Sequence, residues 1–275
     1  MAEIASITTT GRLAGKRVLI TGTGGGQGAA VQRAFSMEGA ITVGCDRMAG
    51  TAEASAETLR TEGFEAVGLT VDLSDSGKAR EWVDWGVAQM GGLDVVYHNA
   101  AATEFAPFDE MTRELWDFTI RNEVDMVFDV IHPAWRHLQE RGGSIITIGS
   151  VAGLSADANL GQSAHMAAKG AVIALTKQLA AEGGAHRIRV NCISPGVILT
   201  PALDDLPESM KTYFSDRTYL GRLGTVADIV PAAIYLASDE SSYMTGANLV
   251  IDGGLTTGTS RTRENGGVSV VQESA

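Results

Sequence analysis

Apolar and polar positions divide the chain into short apolar runs that alternate with longer amphipathic segments. The short runs are typical of buried strands and fall at residues 16–20, 41–44, 66–71, 93–97, 144–148, 188–193 and 248–251. The segments between them are compatible with helices and fall at 29–35, 51–62, 74–90, 112–139, 163–182 and 226–237. Because strands and helices alternate almost throughout, the pattern predicts an α/β fold of the Rossmann type, with a doubly wound parallel sheet and helices on both faces.

The same pattern predicts a single domain, because neither a linker nor a shift in composition interrupts it before the C-terminal tail. The predicted domain covers residues 15–254 and follows a polar N-terminal lead-in at 1–14. Residues 255–275 are rich in Thr, Ser and Gly, so we expect a mobile tail there. The segment from about 199 to 222 mixes apolar and charged residues and is predicted to be a variable connection.

A glycine-rich stretch, Thr21–Gly28, follows the first predicted strand and precedes a helix. Glycines let the main chain approach a phosphate closely, and the following helix directs free N–H groups and its positive dipole end at the anion. Asp46 ends the second strand eighteen residues after Gly28, where a carboxylate accepts hydrogen bonds from a ribose. A second acid, Asp72, follows the third strand. This arrangement predicts a βαβ unit that binds a dinucleotide.

Composition argues against several other classes of function. The net charge of −12 argues against binding to nucleic acid or to an anionic membrane surface. Cys45 and Cys192 lie in or at the ends of apolar runs, which favours buried thiols and a reducing compartment. The N-terminus lacks the features of a signal peptide and no apolar run is long enough to cross a bilayer, so we expect a cytoplasmic protein. No cluster of His, Cys and Asp has metal-ligand spacing, and no metal is predicted.

Over residues 12–254 the chain resembles the short-chain dehydrogenase/reductase family, and the resemblance rests on motifs that occur in the family's order. These motifs are Thr21-Gly22-x-x-x-Gly26-x-Gly28, Asp72, Asn99-Ala100, Asn122, Ser150, Pro195-Gly196 with Thr200-Pro201, and Asp252-Gly253-Gly254. The family's Asn-Asn-Ala-Gly motif reads His98-Asn99-Ala100-Ala101 here, which departs at two positions. The resemblance implies a seven-stranded sheet in the order 3-2-1-4-5-6-7 and a homotetramer or dimer that packs through two central helices. It also implies a substrate lid at about 199–222.

The resemblance further implies a nicotinamide cofactor. Its expected binding residues are Gly22, Gly26, Gln27, Gly28, Asp46, Arg47, Asp72, Leu73, Asn99, Ala100, Ala101, Lys169, Pro195, Gly196, Ile198 and Thr200. Asp46 implies NAD, since a carboxylate at this position would repel the 2′-phosphate of NADP. The neighbouring Arg47 leaves NADP open as the alternative.

The active-site motif of the family, Tyr-x-x-x-Lys, reads His165-Met-Ala-Ala-Lys169 in this chain. A spacing of four residues places both side chains on one helix face. The resemblance implies that His165 stands in the acid/base position, Lys169 binds the nicotinamide ribose, Ser150 holds the substrate oxygen and Asn122 supports a proton-relay water. The fifteen residues from Ser150 to His165 are more than the family usually shows, so we expect the connecting loop to have a changed shape.

Histidine can serve as a base near neutral pH. The cations of Lys169 and of the nicotinamide are expected to favour the neutral ring, which suits alcohol oxidation better than carbonyl reduction. Imidazole is also shorter than phenol by about 2 Å, so the substrate must sit deeper or a water must bridge. The alternative is that His165 only fills space in a chain that has lost redox chemistry, and Lys169 would keep its ribose contact there too.

Two classes of function therefore remain open. The first is an NAD-dependent dehydrogenase for a medium-sized, largely apolar secondary alcohol. This substrate follows because the expected lid is rich in apolar residues and has no cationic cluster, which gives no indication of a phosphorylated or CoA substrate; the apolar residues are Leu203, Leu206, Met210, Tyr213, Phe214 and Tyr219. The second class is a non-redox lyase or isomerase that uses His165 for proton transfer, or a catalytically silent NAD-binding subunit. His98 is either a second polar group beside the cofactor or a residue that only bonds locally.

Overall fold

Seven parallel strands form the centre of the molecule. The computed structural model describes residues 11–258. Its strands are β1 (Arg17–Thr21), β2 (Ile41–Asp46), β3 (Ala66–Thr70), β4 (Val95–His98), β5 (Gly143–Ile148), β6 (Ile188–Pro195), β7 (Ile198–Leu199), β8 (Gly224–Thr225) and β9 (Asn248–Ile251). The main sheet has the order β3-β2-β1-β4-β5-β6-β9, and every neighbouring pair is parallel. This confirms the predicted doubly wound sheet, while β7 and β8 form a separate parallel pair.

Helices cover both faces of the sheet. They are α1 (Gly26–Met37), α2 (Thr51–Thr61), α3 (Ser76–Met90), α4 (Arg113–Ile120), α5 (Met126–Gln139), α6 (Ser163–Gly183), α7 (Glu208–Arg217) and α8 (Val226–Ala237). Successive side chains of a strand point to opposite faces. Accordingly, Leu19 packs with residues of α3, α5 and α6, whereas Val18 and Ile20 pack with residues of α1 and α8. α7 lies in the segment 199–222, for which the pattern predicts no helix.

The predicted helix at 112–139 is wrong in one respect, because a π-helical turn at Arg121–Asp125 separates α4 from α5. In this turn the N–H of Met126 donates to the carbonyl of Arg121, five residues earlier, instead of four as in an α-helix. Such a turn inserts one residue and changes the direction of the side chains around it. Both Asn122 and Glu123 are buried in this turn.

The packed domain extends beyond the predicted limits of 15–254. Leu13 is fully buried and its N–H donates to the carbonyl of Glu38 at 3.0 Å, so the packed chain already includes part of the expected lead-in. At the other end, the hydroxyl of Thr256 donates to Asp252 at 2.7 Å. The rest of the expected lead-in and tail, residues 1–10 and 259–275, lies outside the described residues. Within the described residues, no helix has both the length and the apolar character that crossing a membrane requires.

An ion pair fastens the amino-terminal edge of the sheet, on the side opposite the glycine-rich loop. Arg17 donates from Nε and from one terminal nitrogen to the two carboxylate oxygens of Asp94, at 2.7 and 2.8 Å. Burial alone would raise the pKa of Asp94, but the hydrogen bonds from Arg17 outweigh it and lower that pKa below its ordinary range. This pair lies at the opposite end of the strands from the glycine-rich loop.

Candidate active site

The glycine-rich loop is held against the ends of β1, β2 and β4. The hydroxyl of Thr21 accepts hydrogen bonds from the N–H groups of Asn99 and Ala100, at 3.0 and 2.9 Å. Gly22 adopts a φ of +77°, and a Cβ there would lie 2.8 Å from Nδ2 of Asn99. A Cβ on Gly28 would collide with the carbonyl of Gly22. These two glycines therefore allow α1 to begin directly against the loop.

A groove of about 490 Å³ runs along the carboxyl ends of these strands. Of the residues that the sequence predicts for cofactor binding or catalysis, it is lined by Gly22, Gly26, Gln27, Asp46, Arg47, Asp72, Leu73, Asn99, Ala100, Ala101, Asn122 and Thr200. The other expected cofactor residues lie elsewhere. Gly28 is packed beneath the loop, Pro195 ends β6, and Gly196 and Ile198 line a second cavity.

Three observations indicate that the groove fits a dinucleotide. No side chain caps the N-terminus of α1, so its first N–H groups face an anion without competition from a capping group. Oε1 of Gln27 is buried and has no hydrogen-bond partner among the described residues. At the far end, the carboxylate of Asp46 accepts the N–H groups of Gly24 and Met48, at 3.0 and 2.9 Å, which fixes an acceptor at the end of β2.

The predicted catalytic side chains lie around the junction of this groove and the second cavity, of about 530 Å³. Ser150 follows β5 and lines the second cavity, and its hydroxyl accepts the N–H of Ala152 at 3.1 Å. His165, in the first turn of α6, lines the same cavity. One turn later, the buried Lys169 donates from Nζ to the carbonyl of Ile148 at 3.2 Å. Gln27 and Thr200 line both spaces, so groove and cavity adjoin.

Asn122 lies on the groove side of this junction. Its Nδ2 donates to the carbonyl of Phe118 at 2.8 Å, within the widened turn between α4 and α5. The π-helical turn therefore positions the side chain of Asn122 and also that of the next residue, Glu123.

Sequence reasoning missed one side chain of the candidate site, Glu123. Its side chain is only 1 % exposed, and its two carboxylate oxygens lie 2.8 and 3.0 Å from Nδ1 of His165. The oxygen at 3.0 Å also lies 3.5 Å from Nζ of Lys169. A carboxylate therefore contacts both His165 and the lysine whose cation is expected to act on it. The only signal in the sequence is an acid directly after Asn122 in an otherwise half-apolar segment.

His98 is buried at the end of β4, and its Nε2 has no hydrogen-bond partner among the described residues, so both roles that the sequence left open stay predictions. Burial, together with the nearby cation of Lys169, lowers the pKa of His98 to about 4. The ring is therefore neutral at physiological pH, and His98 is not among the residues that line the groove or the second cavity. The thiols of Cys45 and Cys192 are buried as predicted, and burial raises the pKa of both.

The outer wall of the second cavity is largely apolar and comes from the segment 199–222. Its residues there include Leu203, Leu206, Met210 and Phe214. Tyr213 and Arg217 attach α7 to the loop between Ser150 and His165. The hydroxyl of Tyr213 donates to Asp157 at 2.8 Å, and Arg217 lies 3.7 Å from the same carboxylate. The long connection between Ser150 and His165 therefore provides the attachment point for α7.

A doubly wound sheet, a glycine-rich loop at its carboxyl edge, and a Ser, Asn and Lys cluster beside it define the class of α/β oxidoreductases that use a nicotinamide dinucleotide. A family model described as enoyl-(acyl carrier protein) reductase matches residues 22–256. The chain belongs to the short-chain dehydrogenase/reductase family.

Individual relatives cover nearly the same length. The 3-oxoacyl-[acyl-carrier-protein] reductase FabG of Thermotoga maritima is 36 % identical over 252 residues, which are 89 % of this chain and 99 % of the relative. A short-chain type dehydrogenase/reductase from Mycobacterium marinum superposes with a TM-score of 0.85 at 32 % identity, covering 89 % of this chain and 96 % of that one. A gluconate 5-dehydrogenase from Burkholderia cenocepacia J2315, solved in complex with NADP and tartrate, has a TM-score of 0.84 at 35 % identity, with coverages of 90 % and 98 %.

Proposed function

We propose that this protein is an NAD-dependent dehydrogenase that oxidises a secondary alcohol, or reduces the matching ketone, with His165 as the acid/base. The observation that carries the proposal is the position of His165, which lies one helical turn before Lys169 and lines the same cavity as Ser150. A group that exchanges a proton with the substrate must be within hydrogen-bond reach of it, directly or through one water.

Each predicted catalytic residue has a distinct part in this reaction. Ser150 orients the substrate oxygen, and His165 takes the hydroxyl proton through its ring nitrogen as the alcohol becomes a carbonyl. Lys169 holds the nicotinamide ribose, and Asn122 supports a water that relays the proton outward. The bound cofactor supplies the acceptor, or in reverse the donor, of the hydride.

The preference for NAD rests on Asp46. Its carboxylate is already fixed by two main-chain N–H groups at the end of β2, where it would accept the ribose hydroxyls and repel a 2′-phosphate. Arg47 lines the same groove and is the feature that would favour NADP. Comparative titration with NADH and NADPH tests the assignment, and tighter binding of NADPH would overturn it.

The proposed substrate is a medium-sized, largely apolar secondary alcohol, and residues 199–222 are its proposed lid. The cavity wall from this segment is mainly aliphatic and aromatic, and the carboxylate of Asp157 lies beside the one cation, Arg217, that this segment contributes to the cavity lining. The assay panel should also contain acyl thioesters and a sugar acid, because relatives carry the corresponding names. Activity confined to those compounds would refute the proposed substrate class.

A second candidate is a lyase or isomerase on the same fold. The contact of His165 with the buried Glu123 supports it, because a histidine and carboxylate pair transfers protons without needing a hydride step. Turnover of a substrate without any change in nicotinamide absorbance would point to this alternative. Binding of NAD without turnover, together with association with an intact homologue, would point instead to a silent partner subunit.

The deciding experiment is NAD⁺ reduction by the purified protein over a panel of secondary alcohols, between about pH 6 and 9. The variants His165→Ala and His165→Tyr are assayed in parallel with the wild type. Turnover by the wild type and its loss in His165→Ala would support the proposed dehydrogenase. A silent wild type with an active His165→Tyr would mean that the scaffold is intact but that its native role is not hydride transfer.

A homo-oligomer, either tetramer or dimer, and a cytoplasmic location remain proposals. The first is supported by an apolar groove between α5 and α6, where Phe128 is 57 % exposed and is stacked on His132. Light scattering at several protein concentrations tests the assembly, and a monomer at all concentrations would contradict it.

A further inference from the structure

We propose that Glu123 is a positioning residue that fixes the tautomer and the orientation of His165, so that Nε2 is the nitrogen that exchanges the substrate proton. This rests on the proposed role of His165, but its main consequence, the position of the ring hydrogen, can be measured without turnover. The proposal explains how a histidine serves at a position where the family has a tyrosine.

The geometry of the carboxylate decides which ring nitrogen carries the hydrogen. Both oxygens of Glu123 face Nδ1 of His165, at 2.8 and 3.0 Å. An ionised carboxylate only accepts hydrogen bonds, so Nδ1 of the neutral ring must be the donor. A neutral imidazole has one donor and one acceptor nitrogen, which leaves Nε2 with the lone pair that a base needs.

Lys169 places a positive charge beside the buried side chain of Glu123. Nζ of Lys169 lies 3.5 Å from the oxygen of Glu123 that is 3.0 Å from Nδ1, and both side chains are almost completely buried. A buried carboxylate is retained only where a cation or hydrogen bonds compensate for its lost hydration. The lysine provides this compensation while His165 is neutral, so the carboxylate is available to the ring when the ring takes a proton.

The same carboxylate stabilises the product of proton transfer. When Nε2 takes the hydroxyl proton, the ring becomes an imidazolium whose charge lies directly beside Glu123. An opposite charge at hydrogen-bond distance in a buried site stabilises that form strongly. Other ionisable groups near the ring are Lys169 on its own helix, and Asp157 and Arg217, which line the cavity from the loop and from α7. Of these, Lys169 contacts Glu123 and the other two pair with each other.

The ring is also oriented by packing. Phe105 lies edge-on to His165, with ring centroids 5.7 Å apart. Glu123 itself comes from the π-helical turn, where the inserted residue gives its side chain a buried position against α6. Two side chains from outside α6, Phe105 and Glu123, therefore contact the imidazole.

The decisive variant is Glu123→Gln, which keeps the shape of the side chain and removes its charge. Because Lys169 can only donate, it is expected to take the single amide oxygen, and the amide NH₂ then faces Nδ1 of His165. This makes Nδ1 the acceptor and places the hydrogen on Nε2, which is the wrong tautomer for a base. We expect kcat to fall about 10²- to 10⁴-fold and the dissociation constant for NADH to change by less than about threefold, as for a group that acts on the proton and not on cofactor binding.

Two further variants separate positioning from a structural role. Asp94→Asn makes the same carboxylate-to-amide change in a partly buried ion pair remote from the site, and we expect it to leave kcat unchanged. In the His165→Ala background, Glu123→Gln is expected to cause no further loss of kcat, because residues that act as a unit are not additive. A further loss of tenfold or more there, or a parallel loss of NADH affinity in the single variant, would show that Glu123 acts through Lys169 and would overturn the proposal.

Nitrogen-15 NMR of the imidazole provides the readout that needs no turnover. In the wild type we expect the neutral ring of His165 to carry its hydrogen on Nδ1, and in Glu123→Gln on Nε2. If the wild type shows this signature but oxidises no alcohol, the tautomer assignment stands and the proposed function fails. A wild-type ring with its hydrogen on Nε2, or a tautomer unchanged by Glu123→Gln, would overturn the proposal whatever the enzyme's activity.

Discussion

The groove that we propose binds the cofactor and the cluster of Glu123, His165 and Lys169 that we propose exchanges the proton lie side by side on one edge of the sheet, but they are built in different ways. One wall of the groove is local main chain, the glycine-rich stretch from Thr21 to Gly28, and its other lining residues come from the ends of β2, β3 and β4 and from the segments around Asn122 and Thr200. The cluster is formed by side chains, and its two central members, Glu123 and His165, are 42 residues apart. A site made of local main chain depends on local geometry, whereas a site made of side chains depends on which distant elements meet.

Removing the imidazole should separate chemistry from cofactor binding. His165→Ala is expected to lower kcat by about 10³-fold or more, because it removes the group that we propose exchanges the proton. The dissociation constant for NADH should change by less than about twofold. Steady-state kinetics and fluorescence titration measure the two quantities. The matched control is His132→Ala, which removes an exposed histidine on α5. A comparable loss of kcat in this variant would contradict the special role of His165.

Placing a methyl group in the glycine-rich loop should impair binding of the cofactor, whereas removing the imidazole should impair the chemical step. A Cβ on Gly28 collides with the carbonyl of Gly22, so Gly28→Ala must move α1 away from the loop. We expect the affinity for NADH to fall about 100-fold and the free energy of unfolding to fall by about 2 kcal/mol, as for overpacking of a tight site. Gly184→Ala is the control, because a Cβ there meets no atom within 4 Å. Unchanged NADH affinity in Gly28→Ala would contradict the proposed binding role of this loop.

His98, buried at the end of β4, should make the protein sensitive to acid. Because its folded-state pKa is lowered to about 4, the unfolded chain binds more protons than the folded one between about pH 4 and 6.5. Stability must therefore rise with pH across this window, and the wild type should lose about 2 kcal/mol from this residue between pH 7 and 5. Asparagine does not titrate, so His98→Asn should lose correspondingly less. Urea unfolding at both pH values measures the difference, and equal losses in the two proteins would refute it.

The smallest expected effect concerns the attachment of α7. Tyr213→Phe removes the hydrogen bond to Asp157, which is worth about 1–2 kcal/mol when the acceptor is charged. We expect KM for the alcohol to rise several-fold, because α7 forms the cavity wall, while the affinity for NADH stays unchanged. A change in NADH affinity with constant KM would instead assign this contact to the groove.

The fold could be predicted from the sequence because each part depends on near neighbours. The helix at Val226–Ala237 and the strand at Asn248–Ile251 have the predicted bounds, since periodicity and capping are local properties. The π-helical turn could not be predicted, because Asn122 and Glu123 fit an α-helical pattern and only their burial against α6 shows the extra residue. Glu123 itself was missed for the same reason, since its function depends on a contact that no spacing within one motif encodes.

The contact between Glu123 and His165 also bears on how such a site can arise by mutation. A tyrosine at position 165 would place a ring carbon where Nδ1 now faces Glu123, so the buried carboxylate would lose the hydrogen bond that the ring donates to it. A histidine there without Glu123 would have no group to choose its tautomer. Each change alone is therefore a poor intermediate, and we expect the two positions to be inherited as a pair. A histidine at the tyrosine position of a related chain should accordingly be read as a working site only when an acid follows the asparagine of the π-helical turn.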